Sequence, residues 1–482
     1  FMILRHGVSN SILVVSAVFL FQIAPVAGAP NIVVLIADDM GWGDVGFNGS
    51  EIRTPEIDRL AAEGMKLNRF YVQAVCSPTR ATFLTGRSPL STSVSSPFNP
   101  WYERGLPTDE KLMPEYLREA GYQTHAVGKW HLGPNESIYH PLNHGFDTFY
   151  GSMHGYLNHE SHTVFGRVDW QRNGETVFEA GHVTDLIADE AVRHIQERDP
   201  DRPIFLYITF TAPHAPLQAS EEAIAAYSYL EDQTRRVYAA MVSEMDGAIA
   251  RIAEALDNAG IMDETLLMFF SDNGGHLLLG ASNGQLRGDK GDPWEGGIRV
   301  PALIYGLDVI EGGTVFDQRL TVMDLLPTFL AAADIPIDAP KPLEGQNMWA
   351  AVSVGEPTVS QDVVLSNYHS GTDAFLHAFF SDDWKLVQGL NEDGKIQNYL
   401  FDIYTDPYEQ NDLATEYPDV LAQLVAELAA VPQVEPVNRG QRSPDMNAAG
   451  SPISVDPDTR PAIATPYAES GAIPYPPGNY PE

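Results

Sequence analysis

Asp38 and Asp39 stand side by side at the end of the apolar run NIVVLIADD (31–39). One such carboxylate serves as a helix N-cap at a strand–helix turn; two adjacent ones repel, and a hard cation relieves the repulsion. Asp272 and Asn273 follow a second apolar run, TLLMFF (265–270), and add two more oxygen donors. Oxygen donors without a thiolate suit Ca²⁺ or Mg²⁺ rather than zinc. Lys129 and His131 lie in GKWHLG (128–133), His214 in TAPHAP (211–216) and Lys290 in LRGDKGDPWEGGIRVP (286–301). Any one of these alone reads as a solvated surface residue. The pair flanking Trp130 fits a cationic site better, and the glycines around Lys290 suggest close backbone approach. With a metal, these groups would aim positive charge at the oxygens of an oxyanion.

Cys76 is the only cysteine in 482 residues, so no intramolecular disulfide can form. It opens the stretch CSPTRATFLTGR (76–87), which also contains Arg80. Pro78 suits the first turn of a helix, which would put residue 76 at a helix N-terminus, a position favourable for anions. An unmodified thiol is a poor ligand for a hard cation, and no histidine lies close to it in sequence to act as its base. On chemistry alone, a buried structural cysteine and a modified one both stay open.

These residues need a scaffold that brings distant segments together. Apolar runs at 31–37, 123–127, 203–210, 265–270 and 299–306 read as strands. Helices are expected from Thr54-Pro55 to Gly64 and over 235–260, where apolar residues recur at helical spacing. Strands alternating with helices predict an α/β fold with a mainly parallel sheet. Asp38 and Asp39, Lys129 and His131, His214, and Asp272 and Asn273 follow strand C-termini, the edge at which open α/β sheets bind ligands, while Lys290 lies in a loop entering a strand. From about 360 the texture changes to short strands and turns, then a helix over 417–430. The expected organisation is a catalytic domain over 30–355, a smaller C-terminal α+β subdomain over 356–430 and a proline-rich tail over 431–482.

Lys and Arg number 29 against 65 Asp and Glu, a net charge of −36. That surface argues against nucleic-acid or anionic-membrane partners, and an anionic substrate would need a local cationic pocket. Arg5 and His6 precede the apolar run SILVVSAVFLFQIA (11–24) and the small residues VAGAP. The run is short for a bilayer span and predicts a signal peptide over 1–29, cut after Ala29 or Gly28, with export to a periplasm or the medium and no stable membrane anchor.

CSPTR matches the C-x-P-x-R sequence that directs oxidation of cysteine to formylglycine in type I sulfatases, and ATFLTGR continues the match. ADDMGWGD (37–44), GKWHLG, APHAPLQ (212–218), SDNGG (271–275), the WEGGIRVP loop and LFDIYTDPYEQNDLA resemble sulfatase segments in the same order. The stretch YSYLEDQTRRVYAAMVSEMDGAI (227–249) resembles the arylsulfatase B group, which removes sulfate from N-acetylgalactosamine 4-sulfate. One departure is that Asp289 and Asp292 flank Lys290.

The resemblance implies an alkaline-phosphatase-like fold, with a mainly parallel sheet sandwiched by helices. It also implies hydrolysis of sulfate esters on a sulfated carbohydrate or aryl sulfate. Carried over residue by residue, Asp38, Asp39, Asp272 and Asn273 bind the divalent cation, commonly Ca²⁺. Cys76 is converted to formylglycine by a maturation enzyme, and its hydrate also faces the metal. Arg80 holds the hydrate, Lys129, His214 and Lys290 contact the sulfate, His214 or Lys290 protonates the leaving alcohol, and His131 deprotonates the second hydroxyl. The alternatives are a phosphodiesterase or phosphonate hydrolase on the same fold, or a sulfated-glycan binding protein without activity. His154, His159 and His162, in GSMHGYLNHESH (151–162), read either as a sugar-binding rim or as ordinary loop histidines.

Overall fold

Residues 31–37 are apolar without alternation, and the backbone runs as a strand buried on both faces (β1, Asn31–Ala37). The computed structural model describes residues 28–436 except 101, 360 and 370. The expected signal run and most of the proline-rich tail lie outside the described residues.

The other strands of the large sheet are β2 (Met65–Leu67), β3 (Gln123–Lys129), β4 (Thr148–Ser152), β5 (Gln171–Arg172) and β6 (Glu175–Thr176). They are followed by β7 (Ile204–Thr209), β8 (Thr265–Ser271), β9 (Ala302–Tyr305) and β10 (Thr314–Phe316). Among the described residues, their order is β10-β2-β9-β8-β1-β7-β3-β4-β5-β6. The centre, β8-β1-β7-β3-β4, is parallel throughout. The run expected at 299–306 narrows to β9 and pairs antiparallel to β8.

Side chains alternate across β1, as the period of a strand requires. Ile32, Val34 and Ile36 face a core shared with α2 (Cys76–Thr85) and α5 (Leu325–Ala332). Val33 and Leu35 face α1 (Pro55–Glu63), α3 (Val183–Glu197) and α4 (Gln233–Asn258). Helices therefore cover both faces of the sheet, and the chain has the three-layer α/β architecture expected.

A small antiparallel sheet, β11 (Val363–His369), β12 (Ala374–Ser381), β13 (Trp384–Leu390) and β14 (Ile396–Asp402), follows in simple meander order. Helix α6 (Pro418–Ala430) covers one face through Leu424 and Leu428. The sheet also packs Val363, Leu365, Ala378 and Phe380 against Tyr71, Ala74 and Ile298 of the larger part. No helix among the described residues is long and apolar enough to cross a membrane.

Candidate active site

Strands β8, β1, β7 and β3 are adjacent, and their C-terminal ends lie at one edge of the sheet. β8 delivers Asp272 and Asn273, β1 delivers Asp38 and Asp39, the loop after β7 delivers His214, and β3 ends on Lys129 with His131 just beyond. Backbone bonds lock these exits together: Asp38 N donates to Ala212 O at 3.1 Å and Asp272 N to Ala37 O at 2.9 Å. Asp39 occupies the left-handed region, with φ 68. Such a conformation is uncommon for a residue with a side chain but tolerated by Asp. It is tied on both sides, by Asp39 N to Asp272 Oδ1 at 3.4 Å and by the Tyr238 hydroxyl to Asp39 O at 3.1 Å. Gly128 lets β3 approach β7, because a Cβ there would lie 1.9 Å from Thr209 O.

Cys76 is the first residue of α2, after the extended residue Val75. Thr79 Oγ1 accepts from Gln73 N at 3.0 Å and closes the turn into the helix, and Gly86 ends it in the left-handed conformation. Every residue of α2 is buried, including the polar ones. Arg80, one turn below Cys76, is fully enclosed. Its Nε and Nη2 donate to Asp272 Oδ2 at 3.0 and 2.7 Å, and its Nη1 donates to Lys129 O at 3.0 Å. The Cys76 Sγ lies 3.5 Å from Asp38 Oδ1. Burial and the nearby Asp272 push the thiol well above its ordinary range, so it is held neutral and is no ready nucleophile.

Lys129 Nζ pairs with Asp38 Oδ2, and Lys290 Nζ lies 2.6 Å from Asp39 Oδ1. His214 Nε2 lies 3.6 Å from Asp39 Oδ2. Burial alone would raise the Asp39 carboxyl, but Lys290 and His214 more than offset it and hold it below the usual range. Asp272 is pushed up to about 6 by burial and by Asp38, against the pull of Arg80. Both histidines are held neutral. Burial depresses His214 to about 3 despite Asp39, and burial with Lys129 and Arg80 depresses His131 strongly.

Hydrogen bonds fix the tautomers. His131 Nε2 donates to Phe98 O at 3.0 Å, leaving Nδ1 as a buried lone pair with no protein partner. His214 Nδ1 donates to Ala215 O at 2.7 Å, leaving Nε2 toward Asp39. Gly155 lies against the His131 ring, where an added Cβ would sit 2.3 Å from Cε1.

Asp38, Asp39, Cys76 and His214 each bring a potential ligand atom, and these atoms all lie within 4.8 Å of one another. Asn273 Nδ2 donates to Asp39 Oδ1 at 2.8 Å, while Asn273 Oδ1 and Asp39 Oδ2 are buried without a hydrogen-bond partner. Unpartnered buried oxygens are costly. Their presence beside three carboxylates fits a hard divalent cation. Asp272 lies in the same corner but commits Oδ2 to Arg80. The residues singled out in the sequence therefore form one contact network, with His131 joined through Ser77 Oγ, which donates to His131 O at 2.8 Å.

The two acids flanking Lys290 accept hydrogen bonds from backbone amides. Asp289 Oδ1 accepts from Leu277 N at 3.0 Å and Lys290 N at 2.7 Å, and Asp292 Oδ2 accepts from Asp289 N at 3.0 Å. These bonds shape the loop that carries Lys290 to Asp39. The small sheet braces the same loop: Asn367 Nδ2 donates to Gly291 O at 3.0 Å. Below it, the enclosed Lys385 Nζ donates to Glu295 Oε1 at 2.8 Å and to Glu409 Oε1 at 2.6 Å.

Several contributors had no separate mark in the sequence. Ser77 bridges His131 O and Phe98 N, and its only signal was adjacency to Cys76. Tyr238 shares its hydroxyl between Asp39 O and Asp44 Oδ2, at 3.1 and 2.7 Å. Of the three loop histidines, His159 is buried and donates Nε2 to His214 O at 3.2 Å, His154 pairs with Asp169, and His162 bonds Gly181 O.

Comparison with known proteins identifies the family and the fold. The family model described as sulfatase matches residues 30–335. Arylsulfatase J of Mus musculus is 33% identical over 473 residues, covering 87% of this chain and 79% of that protein. N-acetylgalactosamine-6-sulfatase of Mus musculus is 36% identical over 360 residues, 68% of each. Among solved structures, Ps i-CgsB in complex with k-i-k-neocarrahexaose superposes with a TM-score of 0.79 at 33% identity, over 85% of this chain and 94% of that one. On this agreement of sequence, fold and strand-end chemistry, the chain belongs to the sulfatase family and is a sulfuric ester hydrolase.

Proposed function

We propose that the protein hydrolyses sulfate esters on a sulfated carbohydrate, using formylglycine formed from Cys76 and a divalent cation, Ca²⁺ in the first instance. The observation that carries this reading is the setting of Cys76. Its thiol is buried and held neutral, yet it faces Asp38 at 3.5 Å inside a ring of lysines and histidines. Such surroundings suit a hydroxyl nucleophile and an oxyanion better than a thiolate.

Converted to formylglycine, residue 76 would supply as its hydrate two hydroxyls on one carbon, one to displace the alcohol from sulfur and one whose proton loss would release sulfate and restore the aldehyde. Asp38, Asp39, Asp272 and Asn273 would hold a divalent cation, which would supply positive charge to a bound sulfate. The chain's own groups do the rest. Arg80, anchored on Asp272 and Lys129 O, holds the side chain of residue 76. Lys129 and Lys290 surround the sulfate with N–H groups, and His214 joins them once its Nε2, a lone pair in the unliganded protein, takes up a proton as the anion binds. Lys290 or His214 delivers the proton that the leaving alcohol requires. His131 takes the second hydroxyl's proton on Nδ1, whose lone pair is kept available because Nε2–H is spent on Phe98 O.

A carbohydrate substrate is supported by the names of the relatives, N-acetylgalactosamine-6-sulfatase among them. Export is supported by the apolar run at 11–24. The test is turnover of a matched pair of aryl esters, sulfate against phosphate, by the full chain from a host that forms formylglycine. The sulfate ester should be the better substrate in kcat/KM. A clear preference for the phosphate or a phosphonate ester would replace this reading with the phosphohydrolase one.

A further inference from the structure

At the opposite edge of the sheet, around the N-terminal end of β3, lies an open cleft of about 620 Å³. Lys129 ends the same strand, so β3 separates this cleft from the candidate active site by about 20 Å at the usual rise per strand residue. Nothing in the hydrolytic mechanism uses it.

The lining is polar and cationic. Arg172, Arg193 and Arg198 all face the cleft. Arg172 Nη2 donates to Glu190 Oε2 at 2.8 Å and Arg193 Nη2 to Glu190 Oε1 at 2.5 Å, so two guanidiniums share one buried carboxylate. Arg193 Nη1 also reaches the exposed Glu197 at 2.5 Å. Arg198 donates to two backbone carbonyls, Ile195 O and Ala259 O, at 3.0 and 3.3 Å. Three cations thus face two anions, and each guanidinium brings five N–H donors, more than these contacts consume. The floor is firm: His125 and His194 stack at 3.9 Å, and the Thr148 hydroxyl lies 2.7 Å from His125 Nδ1 and 3.3 Å from His194 Nε2. In a chain of net charge −36, three half-exposed arginines over a floor of buried histidines concentrate positive charge locally.

We propose that this cleft is a second, non-catalytic binding site for the sulfated groups of an oligosaccharide, holding a polymeric substrate away from the site of hydrolysis. Arginine is the side chain suited to planar recognition of oxyanions. The choice of a sulfated saccharide over another anion rests on the proposed function; the cationic cleft itself does not.

Two near-isosteric substitutions change its charge in opposite directions. Asn173 lines the cleft in the left-handed conformation and accepts from Phe149 N through Oδ1 at 2.8 Å; Asn173→Asp keeps that acceptor and adds a negative charge. Glu197→Gln removes one. Both would be placed in the full chain carrying Cys76→Ala, so that the ligand is not consumed. Calorimetry would compare a defined sulfated hexasaccharide, its desulfated counterpart and inorganic sulfate. Binding at the catalytic edge is common to all the proteins, so differences between them report the cleft.

For the sulfated hexasaccharide, Asn173→Asp should weaken binding about threefold and Glu197→Gln should tighten it about threefold, the scale of one partly screened charge pair. The desulfated sugar should respond to neither. Equal affinity in all three proteins overturns the proposal. So does binding of inorganic sulfate as tight as that of the hexasaccharide, or of the desulfated sugar as tight as that of the sulfated one. Hydrolysis of a small aryl sulfate by the unsubstituted protein, run in parallel, reports the catalytic reading separately. Its absence would count against the proposed function and leave the cleft to be judged by calorimetry alone.

Discussion

Replacing Lys385 with Met tests whether the small sheet braces the Lys290 loop. Lys385 is completely buried, and its ammonium is shared between Glu295 and Glu409 at 2.8 and 2.6 Å. The substitution leaves Glu295 with the Tyr71 hydroxyl at 3.0 Å and Arg299 at 3.5 Å, but leaves Glu409 Oε1 with no cation. Stranding a buried charge in this way costs about 3–5 kcal/mol. With an unfolding entropy of ~2 cal/mol/K per residue over roughly 400 residues, 1 kcal/mol moves Tm by about 1.2 °C, so Tm should fall by about 4–6 °C.

Adding Glu409→Gln removes the stranded charge and keeps an acceptor for Glu295 N, now bonded to Glu409 Oε2 at 2.8 Å. The double variant should therefore recover at least half of the loss. Because Glu295 lies five residues after Lys290, kcat/KM for an aryl sulfate should fall and recover in step with Tm. The assay is thermal unfolding by circular dichroism together with initial rates. A fall below about 1 °C, or a double variant less stable than Lys385→Met alone, would refute the reasoning, since either result means that Lys385 is not compensating Glu409.

Removal of divalent cations by chelation, with loss confirmed by elemental analysis, should abolish turnover. It should also lower Tm, and added Ca²⁺ should restore stability by about 2.7 kcal/mol at a hundredfold excess over Kd. Lys129 and Lys290 already pair with Asp38 and Asp39, so the fold should persist without the ion. Burial depresses His377 from its ordinary value near 6.5 to about 4, so the unfolded chain takes up a proton there first as pH falls. Its stability contribution is complete above pH 6.5 and is lost as pH falls through 4. His377→Gln should consequently lose about 2 kcal/mol less than the parent between pH 8 and pH 5 in urea unfolding. Gly155→Ala should displace the His131 ring, and kcat should drop by about tenfold or more, the scale of a mispositioned general base, with little change in KM. Unchanged kcat would remove His131 from the proton-transfer role.

How far the site could be read in advance depended on where chemistry coincides with local pattern. The strand ends were legible because each unusual polar residue follows an apolar run, and parallel strands necessarily present those ends at one edge. Asp38, Lys129, His214 and Asp272 were found in this way. The start of helix α2 was legible from Pro78. The antiparallel direction of β9 was not, because a short apolar run carries no sign of its partner. Ser77 and Tyr238 were invisible for a different reason, that they act on backbone carbonyls supplied by distant segments, and His159 was marked only as one of three loop histidines, with nothing to show its bond to His214 O. The Lys385–Glu295–Glu409 group joins three segments that topology alone brings together, and each residue alone reads as an ordinary surface charge. The same holds for the arginine cleft, whose members come from a hairpin and the C-terminal end of α3.

The most direct test of the account concerns residue 76. Peptide mass analysis of the protein from a competent host should find that residue without its sulfur and with an aldehyde oxygen in its place. In a host that leaves serine unmodified, Cys76→Ser supplies one hydroxyl where two are needed; it should lose steady-state turnover, with a sulfated serine as the expected trapped product, while Cys76→Ala should show neither turnover nor trapped sulfate. Near-wild-type multiple turnover by Cys76→Ser, with its serine verified as unmodified, would contradict the formylglycine mechanism and assign residue 76 a merely positional role.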